Sequence, residues 1–131
     1  MKIFHPPEPP ESANADYFTG EVTLARMRGA NENPLIDVFR VAFQPSRTAW
    51  HTHTGPQMLF VTEGCCRVQV AGEPIREVPT GGVVRFEAGE RHWHGASPDA
   101  PMVHLAVNIK TAAGETFTDW SDKVTDAQYA G

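Results

Sequence analysis

The sequence predicts one all-β domain, built as a closed barrel or a sandwich. Three observations support this: short runs of strand-forming residues recur along the chain, turn sequences rich in Gly, Pro, Asn and Asp separate them, and no run has the period of a long amphipathic helix. Closure is favoured because an open sheet of many short strands would leave exposed edges. The length of 131 residues fits a single domain.

The individual elements follow from the order of these runs and turns. Strands are predicted over residues 21–27, 35–43, 57–62, 66–70, 83–86 and 102–109. Turns are predicted over residues 31–34, 54–56, 71–74, 80–82 and 96–99. Near the end of the chain, residues 116–129 are expected to form a short terminal turn in which Thr125 and Gln128 have the spacing of a helix capping box.

The N-terminal residues differ in composition from the rest. Four prolines between Pro6 and Pro10 exclude a helix and favour an extended arm, which either is disordered or lies against a partner subunit. The chain therefore divides into a Pro-rich arm over residues 1–15 and a β-barrel domain over residues 16–131.

Charge and hydropathy exclude several classes of partner. Eleven basic and sixteen acidic residues give a formal charge of −5, and no Lys/Arg cluster could neutralise a run of phosphates, so nucleic acid is not expected to bind. No run of apolar residues is long enough to span a membrane. The N-terminus lacks the apolar core of a signal peptide, and a cytoplasmic location is expected. The adjacent Cys65 and Cys66 point to opposite faces of a strand, so they are expected neither to form a disulfide nor to share a metal.

Five of the six histidines lie between His51 and His104. On a strand, His51 and His53 share a face because side chains alternate, and Gln57 follows beyond a Gly-Pro turn that can bring its carbonyl oxygen beside them. A second same-facing pair, His92 and His94, also follows a glycine turn. An isolated His-x-His is weak evidence for a metal site, but the two segments together predict one.

The spacing of these residues resembles the two motifs of the cupin superfamily. They occur here as His51-Thr52-His53-x3-Gln57-x6-Gly64 and Gly81-x5-Glu87-x-Gly89-x2-His92. Gln57 stands in place of the usual glutamate, Glu87 in place of a proline, and Pro45 in place of a glycine. The resemblance implies a single-domain cupin fold, that is, a double-stranded β-helix or jelly-roll barrel.

A narrower resemblance covers most of the chain. The segments Arg47–His53 and His92–Gly95, together with the glutamine, are similar to those of small bacterial cupins that act as manganese-dependent hydroxynitrile lyases. This resemblance implies a homodimer or a dimer-based tetramer. It also implies a site in which four residues bind the metal and three line the pocket and serve catalysis: His51, His53, Gln57 and His92 as ligands, with Thr48, His94 and His104 beside them.

The ligand set indicates the kind of metal chemistry. Three imidazoles and an amide oxygen are all neutral, so they leave the +2 charge of an ion uncompensated and favour Lewis-acid catalysis over a change of oxidation state. One divalent ion per chain is expected, with Mn²⁺ first and Fe²⁺, Ni²⁺ or Zn²⁺ as alternatives. The predicted reaction cleaves a cyanohydrin to HCN and an aldehyde, or forms it, while His104 or His94 moves a proton.

Several alternatives remain open at this stage. The protein could instead be a dioxygenase of the quercetinase-like cupin group, or a binder without enzymatic activity that holds a metal or a small ligand.

His94 could be a fifth ligand, a proton shuttle or a hydrogen-bonded neighbour, and His104 has the same ambiguity. The strand register of His104 also points Met102, Ala106 and Asn108 inward, which predicts a mixed lining. The remaining expectations concern three sets of residues: Phe43, Leu59, Trp93 and Met102 as apolar walls; Trp50 and Trp93 as packing on the opposite strand face; and Arg47, Arg85 and Arg91 as solvated or paired surface charges.

Overall fold

The computed structural model describes residues 1–5, 9–30, 35–111 and 117–131. Within these ranges the chain forms thirteen strands and one short helix. The strands are β1 (Glu11–Ser12), β2 (Phe18–Thr19), β3 (Val22–Arg26), β4 (Ile36–Phe43), β5 (Arg47–Thr48), β6 (His51–His53), β7 (Gln57–Glu63), β8 (Cys65–Val70), β9 (Arg76–Pro79), β10 (Val83–Phe86), β11 (His92–Ala96), β12 (Met102–Ile109) and β13 (Thr118–Trp120), and the helix is α1 (Asp126–Ala130).

These strands form two antiparallel sheets. The first has the order β1-β3-β4-β12-β7-β10; the second has the order β13-β6-β11-β5-β2, with β8 joining β11 to β9. Neighbours such as β4 and β12 are distant in sequence, which is the connectivity of a jelly roll rather than of a simple meander. The sheets form an antiparallel jelly-roll β-barrel, and the predicted all-β fold class is confirmed.

The six predicted strands all occur. Val83–Phe86 and Met102–Ile109 have the predicted bounds, and the other four differ by one residue at one or both ends. The capping box is also confirmed, because Thr125 accepts from the backbone of Gln128 while the Gln128 side chain accepts from the backbone of Thr125. The predicted turn at residues 31–34 lies outside the described residues, as do residues 6–8 of the predicted arm.

Apolar side chains from both sheets form the main core of the barrel. They come from inward positions that alternate along the strands, such as Val41 and Phe43 on β4 and Leu59 and Val61 on β7. Full burial of each large side chain stabilises the fold by roughly 1.5–3 kcal/mol. The cluster comprises Val22, Val41, Phe43, Leu59, Val61, Cys66, Val68, Phe86, Ala96, Met102 and Ala106.

A second, smaller cluster lies outside the barrel wall. Trp50 and Trp93 pack there against Val124 and Tyr129 of the C-terminal segment, as their strand faces predicted. The hydroxyl of Tyr129 donates to the carbonyl oxygen of Ala96, which ties α1 to the end of β11. The C-terminal segment therefore supports the strand that carries His92 and His94 from behind.

Arg47 is not the surface charge that the sequence suggested. Its side chain is buried, its Nη2 donates to the carbonyl oxygen of Val124 at 2.7 Å and to Asp126 Oδ1 at 2.8 Å, and its guanidinium lies 4.7 Å from the centre of the Tyr129 ring. The C-terminal segment covers Arg47 in the folded chain, and strand alternation alone does not predict that cover.

Arg85 and Arg91, the other two arginines that were expected at the surface, each contact a neighbouring side chain. Arg85 forms an ion pair with Glu87, and Arg91 lies over the ring of Trp50. Cys65 and Cys66 are both free thiols, as predicted.

Part of the predicted N-terminal arm also contacts the barrel. Glu11 and Ser12 pair with Leu24 and Thr23, so part of the predicted arm extends the first sheet at its edge. The division of the chain at residue 15 remains a prediction. No helix within the described ranges has the length and hydropathy needed to cross a membrane.

Candidate metal centre

Three histidines from two neighbouring strands converge inside the barrel. His51 and His53 share the inner face of β6, and His92 lies directly opposite His51 on the antiparallel β11. All three side chains are buried, and one ring nitrogen from each lies within 4.8 Å of the others. This geometry brings together the histidines that the His-x-His spacing predicted.

The orientation of each ring is fixed by a contact at its other nitrogen. Nδ1 of His51 lies 2.8 Å from the carbonyl oxygen of Ala49, and Nδ1 of His92 lies 2.8 Å from that of Glu90. A carbonyl oxygen only accepts, so both Nδ1 atoms carry the proton and both Nε2 atoms present a lone pair. Nδ1 of His53 contacts the hydroxyl of Thr118 at 3.1 Å. Its Nε2 is buried without a hydrogen-bond partner among the described residues.

Gln57 completes this arrangement. The side chain is buried at the start of β7, and its Nε2 donates to Oδ1 of Asn108 at 2.9 Å. Its Oε1 then lies 3.2 Å from Nε2 of His92. Because Nδ1 of His92 donates to Glu90, these two facing atoms are both acceptors. A cation between them would satisfy both, so the donor set of this site fits a metal ion.

Burial keeps the histidines neutral at physiological pH. It lowers the pKa of His53 and of His92 to about 4. It also lowers the pKa of His51 well below its usual value, with the neighbouring His92 and His53 as further causes. Neutral imidazoles are the form that ligates a metal. The stacked ring of Phe86, with its centre 3.7 Å from that of His92, holds the latter ring in place.

His94 and His104 form a second pair next to these three histidines. Nε2 of His104 lies 3.0 Å from Nδ1 of His94, and both side chains are buried. Burial lowers the pKa of His104 to about 4 and that of His94 well below its usual value, so both rings are neutral at pH 7. His94 lines the cavity, whereas His104 lies behind it and meets Phe43.

Thr48 lies on β5 beside His94. Its hydroxyl donates to the carbonyl oxygen of Ala49 and accepts from the backbone N–H of His94. Both contacts hold the backbone of the two strands, so Thr48 has a structural role whatever else it does. It also lines the cavity, as the sequence analysis expected.

A cavity of about 290 Å³ opens beside the histidines. The polar lining includes His51, His53 and His94 from the second sheet and Gln57 from the first sheet, and most of the other lining residues are apolar. Such a space suits a small molecule with one polar group and one apolar group. The apolar lining comprises Leu24, Phe39, Val41 and Ala106 on the first sheet, and Tyr17, Phe18 and Trp120 on the side of the histidines.

The predicted apolar walls are wrong. Phe43, Leu59 and Met102 do face inward, but they belong to the main core and are not among the residues that line the cavity. Trp93 lies on the outer side of β11, on the face opposite to its two histidine neighbours. Inward orientation could be predicted from alternation, whereas position along the barrel axis depends on the closed fold. Of the three residues that the register of His104 predicted to line the cavity, Ala106 and Asn108 do so and Met102 does not.

Several residues that line the cavity were missed in the sequence analysis, among them Thr118, Trp120 and Phe18. Thr118 and Trp120 lie directly opposite His53 and His51 on the short β13, and the ring centres of Trp120 and His51 are 4.5 Å apart. Phe18 approaches from the N-terminal side and meets Trp120. The one sequence feature that could have indicated β13 is the alternation of Thr118 and Trp120 across Asp119. A run of three residues is too short to identify a strand.

The chain is similar to several known proteins over most of its length. Over 116 residues the chain is 43% identical to an (R)-mandelonitrile lyase from Granulicella tundricola, and the match covers 88% of this chain and 87% of the relative. A cupin-like protein from Thermotoga maritima has a TM-score of 0.83 and 33% identity, covering 98% of this chain and 95% of the other. A predicted oxalate decarboxylase from the same organism shares the fold, with a TM-score of 0.67 at 24% identity over 78% of this chain and 92% of the other.

The family is settled by a separate match. The model of the cupin domain matches residues 39–108, which include every histidine of the site and Gln57. This segment runs from β4 to the inward Asn108 of β12 and is more than half of the chain. With the barrel topology and the close relatives, this match establishes that the chain belongs to the cupin domain family.

Proposed function

We propose that this protein is a metal-dependent hydroxynitrile lyase that cleaves an aryl cyanohydrin to an aldehyde and HCN, or forms it. The observation that carries the proposal is the convergence of three histidine Nε2 atoms and Gln57 Oε1 beside a cavity with a largely apolar lining. The named activity of the relative at 43% identity supports the same reaction.

The proposed ligands are His51, His53, Gln57 and His92. None of these ligands is anionic, so the positive charge of a bound divalent ion would act on the substrate instead of being cancelled by the protein. Such an ion supplies a Lewis acid, which lowers the pKa of a hydroxyl group. We propose Mn²⁺ as that ion, and Fe²⁺, Ni²⁺ and Zn²⁺ are the alternatives.

His94 is the proposed general base and acid. Nδ1 of His94 forms a hydrogen bond with Nε2 of His104. The Nε2 atom of His94 is therefore the nitrogen that exchanges a proton with the substrate. His94 accepts the hydroxyl proton as the bond between the carbinol carbon and the nitrile carbon breaks. The electron pair of that bond leaves with cyanide, which takes up the proton and departs as HCN. His104 holds the ring of His94 through the bond between them.

The apolar lining of the cavity would bind the aryl group. Leu24 and Phe39 line the cavity from the first sheet, whereas His51, His53 and His94 line it from the second sheet. A substrate that places its hydroxyl at the histidines therefore extends its ring towards Leu24 and Phe39. A volume of about 290 Å³ leaves room for a phenyl-substituted cyanohydrin. We therefore propose mandelonitrile or a close analogue as the substrate.

The first test measures metal content and turnover on the same sample. Protein handled without oxygen is analysed by mass spectrometry for bound metal and assayed for benzaldehyde release from mandelonitrile. We expect about one divalent ion per chain and turnover that His53→Ala abolishes together with the metal. His5→Ala is the matched control, because it removes the histidine that lies outside the site and should change neither quantity.

The other results would favour another function. Bound metal without benzaldehyde release, but with oxygen consumption on a catechol, flavonol or diketone, would indicate a dioxygenase. Bound metal with neither activity would indicate a binding protein. A protein that binds no divalent metal would contradict the proposal. The homodimer or dimer-based tetramer remains a prediction, and light scattering would measure the oligomeric state. The cytoplasmic location also remains a prediction.

A further inference from the structure

The amide of Gln57 has two unlike ends, and only one of them can bind a cation. Its Oε1 is an acceptor and its Nε2 is a donor, so a rotation of the amide by half a turn would present N–H groups to the metal position. The ligand role of Gln57 therefore depends on whatever fixes the amide orientation. In the structure, Oε1 faces Nε2 of His92 at 3.2 Å.

Without a metal, the contact with His92 alone would favour the wrong orientation. Nε2 of His92 presents a lone pair, because its Nδ1 donates to Glu90. An N–H of Gln57 would bond to that lone pair, whereas Oε1 places a second acceptor against it. A further residue must therefore stabilise the orientation in which Gln57 can ligate.

Asn108 is in the position to do this. It lies directly opposite Gln57 on the neighbouring strand β12, on the same inward face as His104 and Ala106. Its Oδ1 accepts from Nε2 of Gln57 at 2.9 Å, which turns Oε1 towards the three histidines. Asn108 belongs to the cavity wall but not to the proposed set of ligands.

We propose that Asn108 is a positioning residue for the metal site, and that it acts by holding Gln57 with Oε1 towards His51, His53 and His92. The inference rests on the metal site of the proposed function but not on the lyase reaction. Groups that orient a metal ligand contribute about 10–100-fold to metal affinity. A side chain at position 108 that cannot accept a hydrogen bond should weaken metal binding by a factor in that range.

The test is a set of Mn²⁺ titrations by calorimetry on metal-free protein. We expect Asn108→Leu to bind Mn²⁺ about 10–100-fold more weakly than the original protein. Asn108→Asp keeps an acceptor opposite Nε2, so it should bind at least as tightly as the original protein. Asn108→Ala removes the same oxygen without adding bulk, and it provides the measurement if the leucine variant does not fold.

The same Asn108 variants made in Gln57→Glu protein distinguish a positioning role of Asn108 from a general structural role. In Gln57→Glu both ends of the side chain are equivalent oxygens, so its orientation no longer matters. The loss caused by Asn108→Leu should therefore shrink to about threefold or less in Gln57→Glu, which is a coupling between the two sites. An equal loss in both backgrounds, or wild-type affinity in Asn108→Leu and Asn108→Ala, would overturn the inference.

These outcomes are distinct from failure of the proposed function. If the original protein binds Mn²⁺ but does not cleave mandelonitrile, the lyase proposal fails while the role of Asn108 is still decided by the titrations. If the original protein binds no divalent ion, both fail together.

Discussion

Nε2 of His104 lies 3.0 Å from Nδ1 of His94, and only His94 of the two lines the cavity. The two rings thus have unequal access to a substrate although strand alternation points both inward. A bound molecule meets His94, and His104 acts on it through the bond between the rings. Substitutions at the two positions should therefore have different kinetic effects.

His94→Ala should lower kcat for mandelonitrile cleavage by about 10²–10⁴-fold, which is the usual contribution of a positioned acid or base. Metal content should not change, because the proposed ligands remain. Steady-state kinetics together with metal analysis by mass spectrometry measure both quantities. A variant that keeps its metal and its full kcat would exclude His94 from the proton transfer.

His104→Leu should lower kcat by roughly tenfold and leave KM unchanged, because the leucine cannot form the hydrogen bond that orients His94. His104→Gln retains a donor and an acceptor near Nδ1 of His94 and should recover part of the loss. The comparison of kcat and KM for the two variants is the measurement. If the glutamine variant is as impaired as the leucine variant, the hydrogen bond is not what His104 contributes.

Gln57→Glu should bind metal more tightly and turn over more slowly. The carboxylate adds an anion to a ligand set that otherwise has none, which strengthens metal binding and offsets the charge that acts on the substrate. Calorimetric titration with Mn²⁺ gives the affinity and benzaldehyde release gives kcat. Faster turnover in Gln57→Glu would contradict the argument that a neutral ligand set serves this reaction.

Phe39→Ala should raise KM for mandelonitrile by roughly tenfold or more, since burial of one aromatic side chain contributes about 1.5–3 kcal/mol. The effect should be small for an aliphatic cyanohydrin that does not reach this side of the cavity. Phe60→Ala is the matched control, because the side chain of Phe60 is 36% exposed and does not line the cavity. An equal change in KM for both substrates would show that Phe39 does not contact the aryl group.

The convergence of the proposed metal ligands was predictable because each belongs to a local pattern. His51 and His53 share a face through the period of a strand, and Gln57 and His92 follow turns that the Gly and Pro residues mark. The cavity walls were not predictable in the same way. Phe18 and Trp120 come from opposite ends of the chain and meet only when the barrel closes. Periodicity reports which face a side chain occupies but not which distant strand lies beside it.

The stability of the metal-free protein should fall as the pH is lowered from about 6.5 towards 4. In the unfolded chain a histidine has its ordinary pKa of about 6.5, whereas burial lowers the pKa of the five buried histidines in the fold. The unfolded state therefore binds more protons in this range, so the free energy of unfolding decreases with falling pH. Each histidine contributes at most about 1.4 kcal/mol per pH unit.

Urea unfolding of chelator-treated protein at several pH values measures this effect. His5→Ala should show the same dependence as the original protein, because His5 is exposed and belongs to no cluster. A free energy of unfolding that stays constant between about pH 7 and pH 5 would contradict the prediction.

Gly95→Ala should disrupt the barrel at the residue next to His94. A Cβ atom at this position would lie 2.3 Å from the carbonyl oxygen of Ser46 and 2.7 Å from Cα of Arg47, and both are backbone atoms that cannot move aside. Strands β11 and β5 approach closely at Gly95, where its Cα pairs with that of Arg47. We expect a loss of roughly 3 kcal/mol or more in the free energy of unfolding, which is among the largest effects of single substitutions.

Gly72→Ala is the matched control for this variant. Gly72 has a φ of 84°, but nothing lies within 4 Å of an added Cβ atom. Gly72→Ala should lower the free energy of unfolding by about 1–2 kcal/mol, because alanine disfavours this left-handed backbone conformation. Urea unfolding of both variants, with Mn²⁺ titration of any Gly95→Ala protein that folds, measures the difference. Equal losses would mean that the backbone can separate at Gly95 and that the close approach of β5 and β11 is not required to hold His94 in place.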